Sequence, residues 1–316
     1  VKNEAWILPL FLQSASIWAD HIIIADQKST DNSKEIALKY PKVIVIDNDS
    51  TDLDEDHRDR MLVEKARETV GTNGILFKLD ADEIFTPNFY SNDWDSIKRS
   101  EEGSVWTFRW IQINENLSSY WEIPRKTVYG AFVDDGRDYT SHGLIHIRDM
   151  FRSDKNFIAE NIFLLHFQFT DLRRMQIKQR WYQCFERINF PNKSAIIIYR
   201  MYHWMYNPNF KYKKIPNEWI EEYKNYKVNL FDYKIENHYW WEDKIKEYFS
   251  MYTPQYFRRI ETYNPGELWH AEGKTITDKL LLSYLNFTTT TFNKKDGALF
   301  YIVNTIDRLL IRLFGF

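Results

Sequence analysis

Residues 75–83 read Ile75-Leu76-Phe77-Lys78-Leu79-Asp80-Ala81-Asp82-Glu83, a mostly apolar run that stops at three carboxylates. Such a run predicts a buried strand. If extended backbone continues to Asp82, residues two apart share a face, so Asp80 and Asp82 point the same way. Two carboxylates held that close repel each other, and one takes up a proton unless a cation lies between them. Mg2+ and Mn2+ favour oxygen ligands of this kind and often complete their shell with phosphate oxygens. The stretch therefore predicts a metal–phosphate site at the carboxyl end of a strand, where open α/β sheets bind their ligands. The plainer alternative is a solvated acidic turn, with Lys78 as an ion-pair partner.

Upstream, strand-like and helix-like patterns alternate through the first ninety residues, which predicts an α/β domain with a parallel sheet. Ile7 to Ala19 carries apolar residues at helical spacing, and His21 to Asp26 reads as a short, buried, β-branched strand. Ser29-Thr30-Asp31-Asn32-Ser33 is rich in helix-capping residues, and Lys34 to Tyr40 reads as the helix that follows. Val43 to Asp47 is a third strand pattern, again ending in Asp, and an acidic loop leads to a helix over Arg58 to Thr69. Downstream, Ser104 to Ile113 and Phe163 to Phe169 read as strands, Tyr120 to Asp149 as a loop-rich region, and Asp171 to Ile188 as a helix. From about Pro191 the chain turns to Tyr-, Trp- and Lys-rich helical segments. This gives two expected regions, 1–190 as the α/β domain and 191–316 as a mainly helical extension.

Composition narrows the function. The 316 residues are 44% apolar, enough for a real core, and the net charge of −3 gives no case for nucleic-acid binding. The single cysteine, Cys184, excludes an intramolecular disulfide and a cysteine-rich zinc site, and suits a reducing compartment. No apolar run is long enough for a transmembrane helix. The chain opens at Val1-Lys2-Asn3-Glu4 without an initiator Met, compatible with upstream residues or a processed end. The last helix, Ala298 to Phe314, is strongly apolar with Arg308 and Arg312 near its end. It reads either as a helix docked on the core or as one lying on an anionic membrane surface.

Asn3-Glu4, then Asp26 with Ser29 and Asp31, then an arginine-bearing helix, then Asp80-Ala81-Asp82-Glu83 occur in that order after successive elements. The arrangement resembles family 2 and related glycosyltransferases of the GT-A fold, clearly over residues 1–88 and more weakly to Tyr182. The resemblance implies a Rossmann-like central mixed sheet flanked by helices, with a C-terminal helical extension. It implies a divalent cofactor, Mn2+ or Mg2+, and a nucleoside-diphosphate sugar donor, UDP- or GDP-linked. The sugar would pass, with inversion, to a glycan, lipid-linked or protein acceptor. The expected setting is cytoplasmic, peripheral at the inner face of a membrane through the C-terminal helix.

Residue by residue, the resemblance implies that Asn3 and Glu4 line the nucleotide pocket. Asp26 would contact the base or ribose, with Ser29 and Asp31 supporting the same loop. Arg60 would face the nucleotide or diphosphate, although Arg58 is an equal candidate on the same helix. Asp80 would bind ribose, or the metal through water, and Asp82 would ligate the metal directly. His166, in Leu164-Leu165-His166-Phe167-Gln168-Phe169, is the further metal ligand implied, since imidazole suits Mn2+; a satisfied core histidine is the alternative. Lys178, on the helix that follows, would screen diphosphate charge. The family's usual Glu-Asp base is missing after the acidic strand. Asp134-Asp135 is the nearest substitute, with Asp149 and Glu122 as alternatives and an ordinary Asp-Gly turn as the plain reading. Absence of any Gly-x-Gly disfavours a Gly-rich nucleotide loop. The alternative function is a non-catalytic nucleotide- or sugar-binding protein on a degenerate transferase fold.

Overall fold

In chain order the elements are α1 (Leu8–Trp18), β1 (Ile22–Asp26), α2 (Ser33–Ala37), β2 (Val43–Asp47), α3 (Glu55–Val70), β3 (Ile75–Phe77), β4 (Glu83–Phe85), α4 (Asn92–Lys98), β5 (Val105–Ile113), β6 (Ser119–Val133) and β7 (Asn156–His166). They continue as α5 (Leu172–Asn189), α6 (Ala195–Tyr202), β8 (Lys213–Lys214), α7 (Asn217–Asn225), α8 (Trp240–Tyr252), α9 (Ile276–Lys294) and α10 (Gly297–Phe314). The computed structural model describes residues 1–315 other than 52, 73, 90, 116, 140–144, 147, 204–210, 261–274 and 295–296. Two compact units result: Val1–Thr170 with Lys211–Glu236, and Asp171–Phe210 with Asn237–Phe316. Pro191, where the composition changes, falls inside the second unit. Gly143, in the expected loop-rich region, lies outside the described residues.

The first unit is mixed α/β, but its sheet is not the parallel one that the alternating pattern predicts. β1 and β2 form a parallel pair in register from Ile22↔Val43 to Asp26↔Asp47. The larger sheet runs β3-β6-β5-β7-β4, with β8 against β6, and only its β5–β7 pairing is parallel. An apolar cavity of about 400 Å3 separates β1 from β3, lined by Ile22, Ile23, Ala15, Val63, Ile75 and Phe77 among others. Val1 runs beside β1 on the edge away from β2, donating to the Ala25 carbonyl at 2.6 Å and accepting from the Gln27 N–H at 2.8 Å.

The antiparallel content comes from β6, which occupies much of the segment that reads as loop. Pro124 and Gly130 interrupt its sequence and suggest breaks. Pro124 lies between Glu122 and Thr127, in the stretch that faces a register shift in β5 and so needs no ladder hydrogen bond. At Gly130 a Cβ would stand 2.5 Å from the Phe108 ring, so glycine here marks a close approach of two strands.

Local chemistry sets the helix ends around this sheet. Asp54 caps α3 by accepting from the His57 N–H at 2.9 Å, Glu55 and Asp56 favour its positive end, and Gly71 closes it at φ 75°. The core beside α1 and α4 is aromatic. Trp18 meets Phe77, Phe85 and Trp94 edge-on at 4.9–5.7 Å, and Phe85 lies 4.7 Å from Phe108.

The second unit is helical. Asp171 caps α5 through the Arg174 N–H, and α6 meets α9 through Ile196, Tyr199, Leu281 and Leu285. Arg200 of α6 makes a buried ion pair with Asp307 of α10 at 2.9 Å and donates to Thr288 at 2.7 Å. His203 stacks on Tyr199 with ring centroids 4.1 Å apart. No helix among the described residues is long and apolar enough to cross a membrane.

Two measurements test this packing. Phe85→Ala should cost about 3–5 kcal/mol of unfolding free energy in a urea titration, because a fully buried ring leaves a cavity among rings that cannot collapse. Burial, reinforced by Arg180 and Arg200, pushes the His203 pKa down from 6.5 to about 4. The stability carried by neutral His203 is therefore complete above pH 6.5 and is lost as pH falls toward 4. That loss should amount to roughly 2–3 kcal/mol and flatten in His203→Gln.

Candidate active site

The acidic stretch does not continue as a strand. β3 ends at Phe77, the Lys78 N–H makes one more bond to the Gly130 carbonyl, and Asp80 to Glu83 form a turn closed by the Glu83 N–H on the Asp80 carbonyl at 3.0 Å. The two aspartates consequently do not share a face. Asp82 is buried at 4% exposure, while the Asp80 side chain is half exposed at 53%. Lys78 is not their partner; it forms a buried ion pair with Asp59 of α3, which Arg58 also contacts at 3.3 Å.

Glu83 organises the turn. Its carboxylate accepts from the Asp80 N–H at 2.9 Å, from Trp110 Nε1 at 2.9 Å, and from Arg148 Nη2 at 2.8 and 2.9 Å. Arg148 also reaches Asp80 at 3.1 Å. Burial raises the Glu83 pKa and Arg148 opposes the rise. For Arg148, burial works against the charge, but Glu83 and Asp80 outweigh it and hold the guanidinium firmly protonated.

Asp82 and His166 come together across the β4–β7 edge, where Glu83 pairs with His166 and the Phe167 N–H donates to the Asp82 carbonyl. His166 Nε2 lies 3.6 Å from Asp82 Oδ2, and Nδ1 lies 2.8 Å from Gln112 Oε1, its register partner on β5. An amide oxygen only accepts, so Nδ1 donates to Gln112, and Nε2 is the ring atom turned toward the Asp82 carboxylate. A donor bond from the second ring nitrogen is the usual way a metal-binding imidazole is oriented. Trp110 stacks on the His166 ring at 4.6 Å and fixes its plane. Lys126 Nζ lies 4.9 Å from the centroid of the Trp110 ring.

The other expected residues gather around Val1, where the charges of Arg58, Glu4, Asp26 and Asp80 converge. Asn3 adopts a left-handed φ of 54°, which asparagine tolerates, and its amide binds the Thr30 N–H at 2.7 Å. Ser29 accepts from the Asn3 N–H at 2.9 Å, and Asp31 accepts from Ala5 and Ser33 N–H groups, both at 3.0 Å. These three residues knit the loop after β1 to the chain start. Glu4 accepts from Trp6 Nε1 at 2.6 Å. Asp26 is buried; one carboxylate oxygen accepts from the Ser29 N–H at 3.2 Å, and the other has no hydrogen-bond partner among the described residues. A buried carboxylate oxygen left open is costly unless a donor meets it, and a nucleoside N–H or O–H is such a donor.

Arg60, Asp134, Asp135 and Glu122 are not brought to this place. Arg60 pairs with Asp56 at 2.9 Å and lies over Tyr139, whereas Arg58 is the α3 arginine whose charge is supported by Asp59, Glu55 and Asp80. Lys178 belongs to the second unit, 5.7 Å above the Trp241 ring. Asp134 and Asp135 follow β6 at its Ile75↔Val133 end, where the Asp134 N–H bonds Gly74. From Gly74 to Lys78 alone is about 13 Å at strand rise, so antiparallel pairing carries these two carboxylates away from Asp82. Each is committed: Asp134 is clamped by Arg67 at 2.7 and 2.8 Å, and Asp135 pairs with Arg137. Glu122 sits beside Trp121, the cross-strand partner of Gln112, so strand alternation turns it to the other face, where Arg109 and Lys213 hold it.

Residues missed from the sequence are Gln112, Trp110, Lys126 and Arg148. The alternation of Trp110 and Gln112 on one strand was the available signal; the partner strand that gives it meaning was not. Among the described residues no group of three or more His, Cys, Asp or Glu side chains is placed to hold a metal. No protein-family profile matches this chain, and no curated protein sequence matches it.

Arg148→Met should cost about 3–5 kcal/mol in chemical denaturation, because it strands the buried Glu83 charge. Adding Glu83→Gln to that variant should recover part of the loss, and simple additivity of the two changes would show that the pair is not coupled.

Proposed function

We propose that this chain is a metal-dependent, inverting glycosyltransferase of GT-A type that uses a nucleoside-diphosphate sugar. The observation that carries the reading is His166 Nε2 turned toward the Asp82 carboxylate at 3.6 Å, with Nδ1 held by Gln112. The open carboxylate oxygen of buried Asp26 supports it, as a waiting acceptor for a nucleoside donor.

Asp82 and His166 would hold Mn2+ or Mg2+, and the bound ion would offset the negative charge of the departing nucleoside diphosphate. Asp26 would orient the base or ribose. Arg58 and Lys126 would contribute positive charge toward the diphosphate. Glu83 and Arg148 would keep the turn in shape, so that Asp82 stays against His166. An acceptor hydroxyl would then displace the diphosphate at the anomeric carbon, losing its proton to a general base.

A second reading, a nucleotide- or sugar-binding protein without turnover, is favoured by one observation: Asp134 and Asp135 lie away from Asp82, bound to arginines. Hydrolysis of a panel of nucleotide sugars with Mn2+ separates the two. Turnover should require the metal and fall about 100-fold or more in Asp82→Asn, as when one preorganised charge-stabilising group is removed. Gln112→Leu should weaken the metal requirement constant about 10–100-fold while leaving the fold intact by circular dichroism. Tight nucleoside-diphosphate binding in calorimetry with no turnover on any donor–acceptor combination would favour the binding protein instead.

A further inference from the structure

Of the twenty large apolar side chains exposed among the described residues, ten lie between Ile276 and Phe314. They are not scattered. On α10, Leu299, Ile302, Ile306, Leu309 and Leu313 recur at spacings of three and four, so they form one stripe along the helix. Their exposures are 66, 53, 37, 49 and 72%, while Val303 and Asp307, on the flank of the stripe, are buried. On α9, Leu280 and Phe287, seven residues apart, are 66 and 87% exposed. This helical pair therefore has one apolar face turned inward and a second turned to solvent.

The charges on the pair are one-sided. Among its described side chains the only carboxylates are Asp278 and Asp307, and both are buried in ion pairs, with Arg258 and Arg259 for the first and Arg200 for the second. The exposed charges are Lys279, Arg308 and Arg312, all positive and in no ion pair among the described residues. Arg308 and Arg312 are one turn apart at the margin of the α10 stripe, beside exposed Tyr301. There their long stems can lie along an apolar layer while the guanidinium groups stay in water.

We propose that α9 and α10 form a docking surface for an anionic lipid bilayer, with the Leu299–Leu313 stripe lying in the interface and Lys279, Arg308 and Arg312 meeting lipid phosphates. Exposed leucine and isoleucine flanked by cations is the composition that favours this position over solution. A second copy of the chain fits less well, since a two-fold contact would set like charges against each other in a low-dielectric seam. The net charge of −3 gives the whole protein no attraction to an anionic membrane, so contact must be carried by this local face. The inference is independent of the donor chemistry proposed above.

Sedimentation of the full chain with phosphatidylcholine vesicles, with and without phosphatidylglycerol, tests it. Binding should require phosphatidylglycerol, fall as salt is raised, and weaken about fivefold for each of Arg308→Gln and Arg312→Gln. Leu309→Asp should abolish it without changing the thermal melt, because that side chain is already exposed. Absence of binding to phosphatidylglycerol vesicles overturns the proposal, as does equal binding to both vesicle types or binding that survives Leu309→Asp in a folded protein. A dimer seen by light scattering that Leu309→Asp disperses, with no vesicle binding, would assign the face to a second copy and likewise overturn it.

Discussion

The buried carboxylate of Glu83 is the interaction on which the candidate site rests. It joins the backbone of Asp80, the indole of Trp110 and the guanidinium of Arg148, each from a different part of the chain. Taking that charge out of water costs several kcal/mol unless donors surround it, and here three donor groups do. Their arrangement fixes the acidic turn, which in turn sends Asp82 inward and leaves Asp80 half exposed. Trp110, held by the same carboxylate, stacks on His166. A single buried acid thus sets both the turn that carries Asp82 and the ring that faces it.

Strand pairing determines what else can join. Gln112 opposite His166 is a consequence of the parallel β5–β7 register, and Glu83 opposite His166 follows from the antiparallel β4–β7 register. A one-residue slip in either would turn these side chains to opposite faces. The same pairing explains why Asp134 and Asp135 are remote. β6 runs antiparallel to β3, so its end returns to the beginning of β3, away from the turn.

Much of the first unit was legible because its signals are local. β-branched runs, capping residues and an acidic stretch after an apolar run identified β1, β2, α3 and the place of the candidate site. Asp82 and His166 were linked beforehand only through the family resemblance, and the structure sets their side chains 3.6 Å apart. Other features were illegible for a physical reason. β6 reads as loop because glycines such as Gly130 are breakers in isolation, and only the close Phe108 ring shows why a strand carries one there. The choice between Arg58 and Arg60 is likewise not written in their spacing; Asp56, Tyr139, Asp59 and Asp80 decide it.

The sequence by itself determined the alternation of elements in the first ninety residues, the acidic stretch at 80–83 and the amphipathic character of the last helix. All of these depend on side-chain periodicity along one segment. Only the tertiary structure decided that the larger sheet is mostly antiparallel, that Asp80 and Asp82 part company, and that Arg148 and Gln112 support the candidate site. Those outcomes depend on contacts between residues tens of positions apart. At Asp80-Ala81-Asp82-Glu83 the local pattern suggested extended backbone, but a buried glutamate seeking donors bent it into a turn, because satisfying that charge outweighs a preference for strand over two residues.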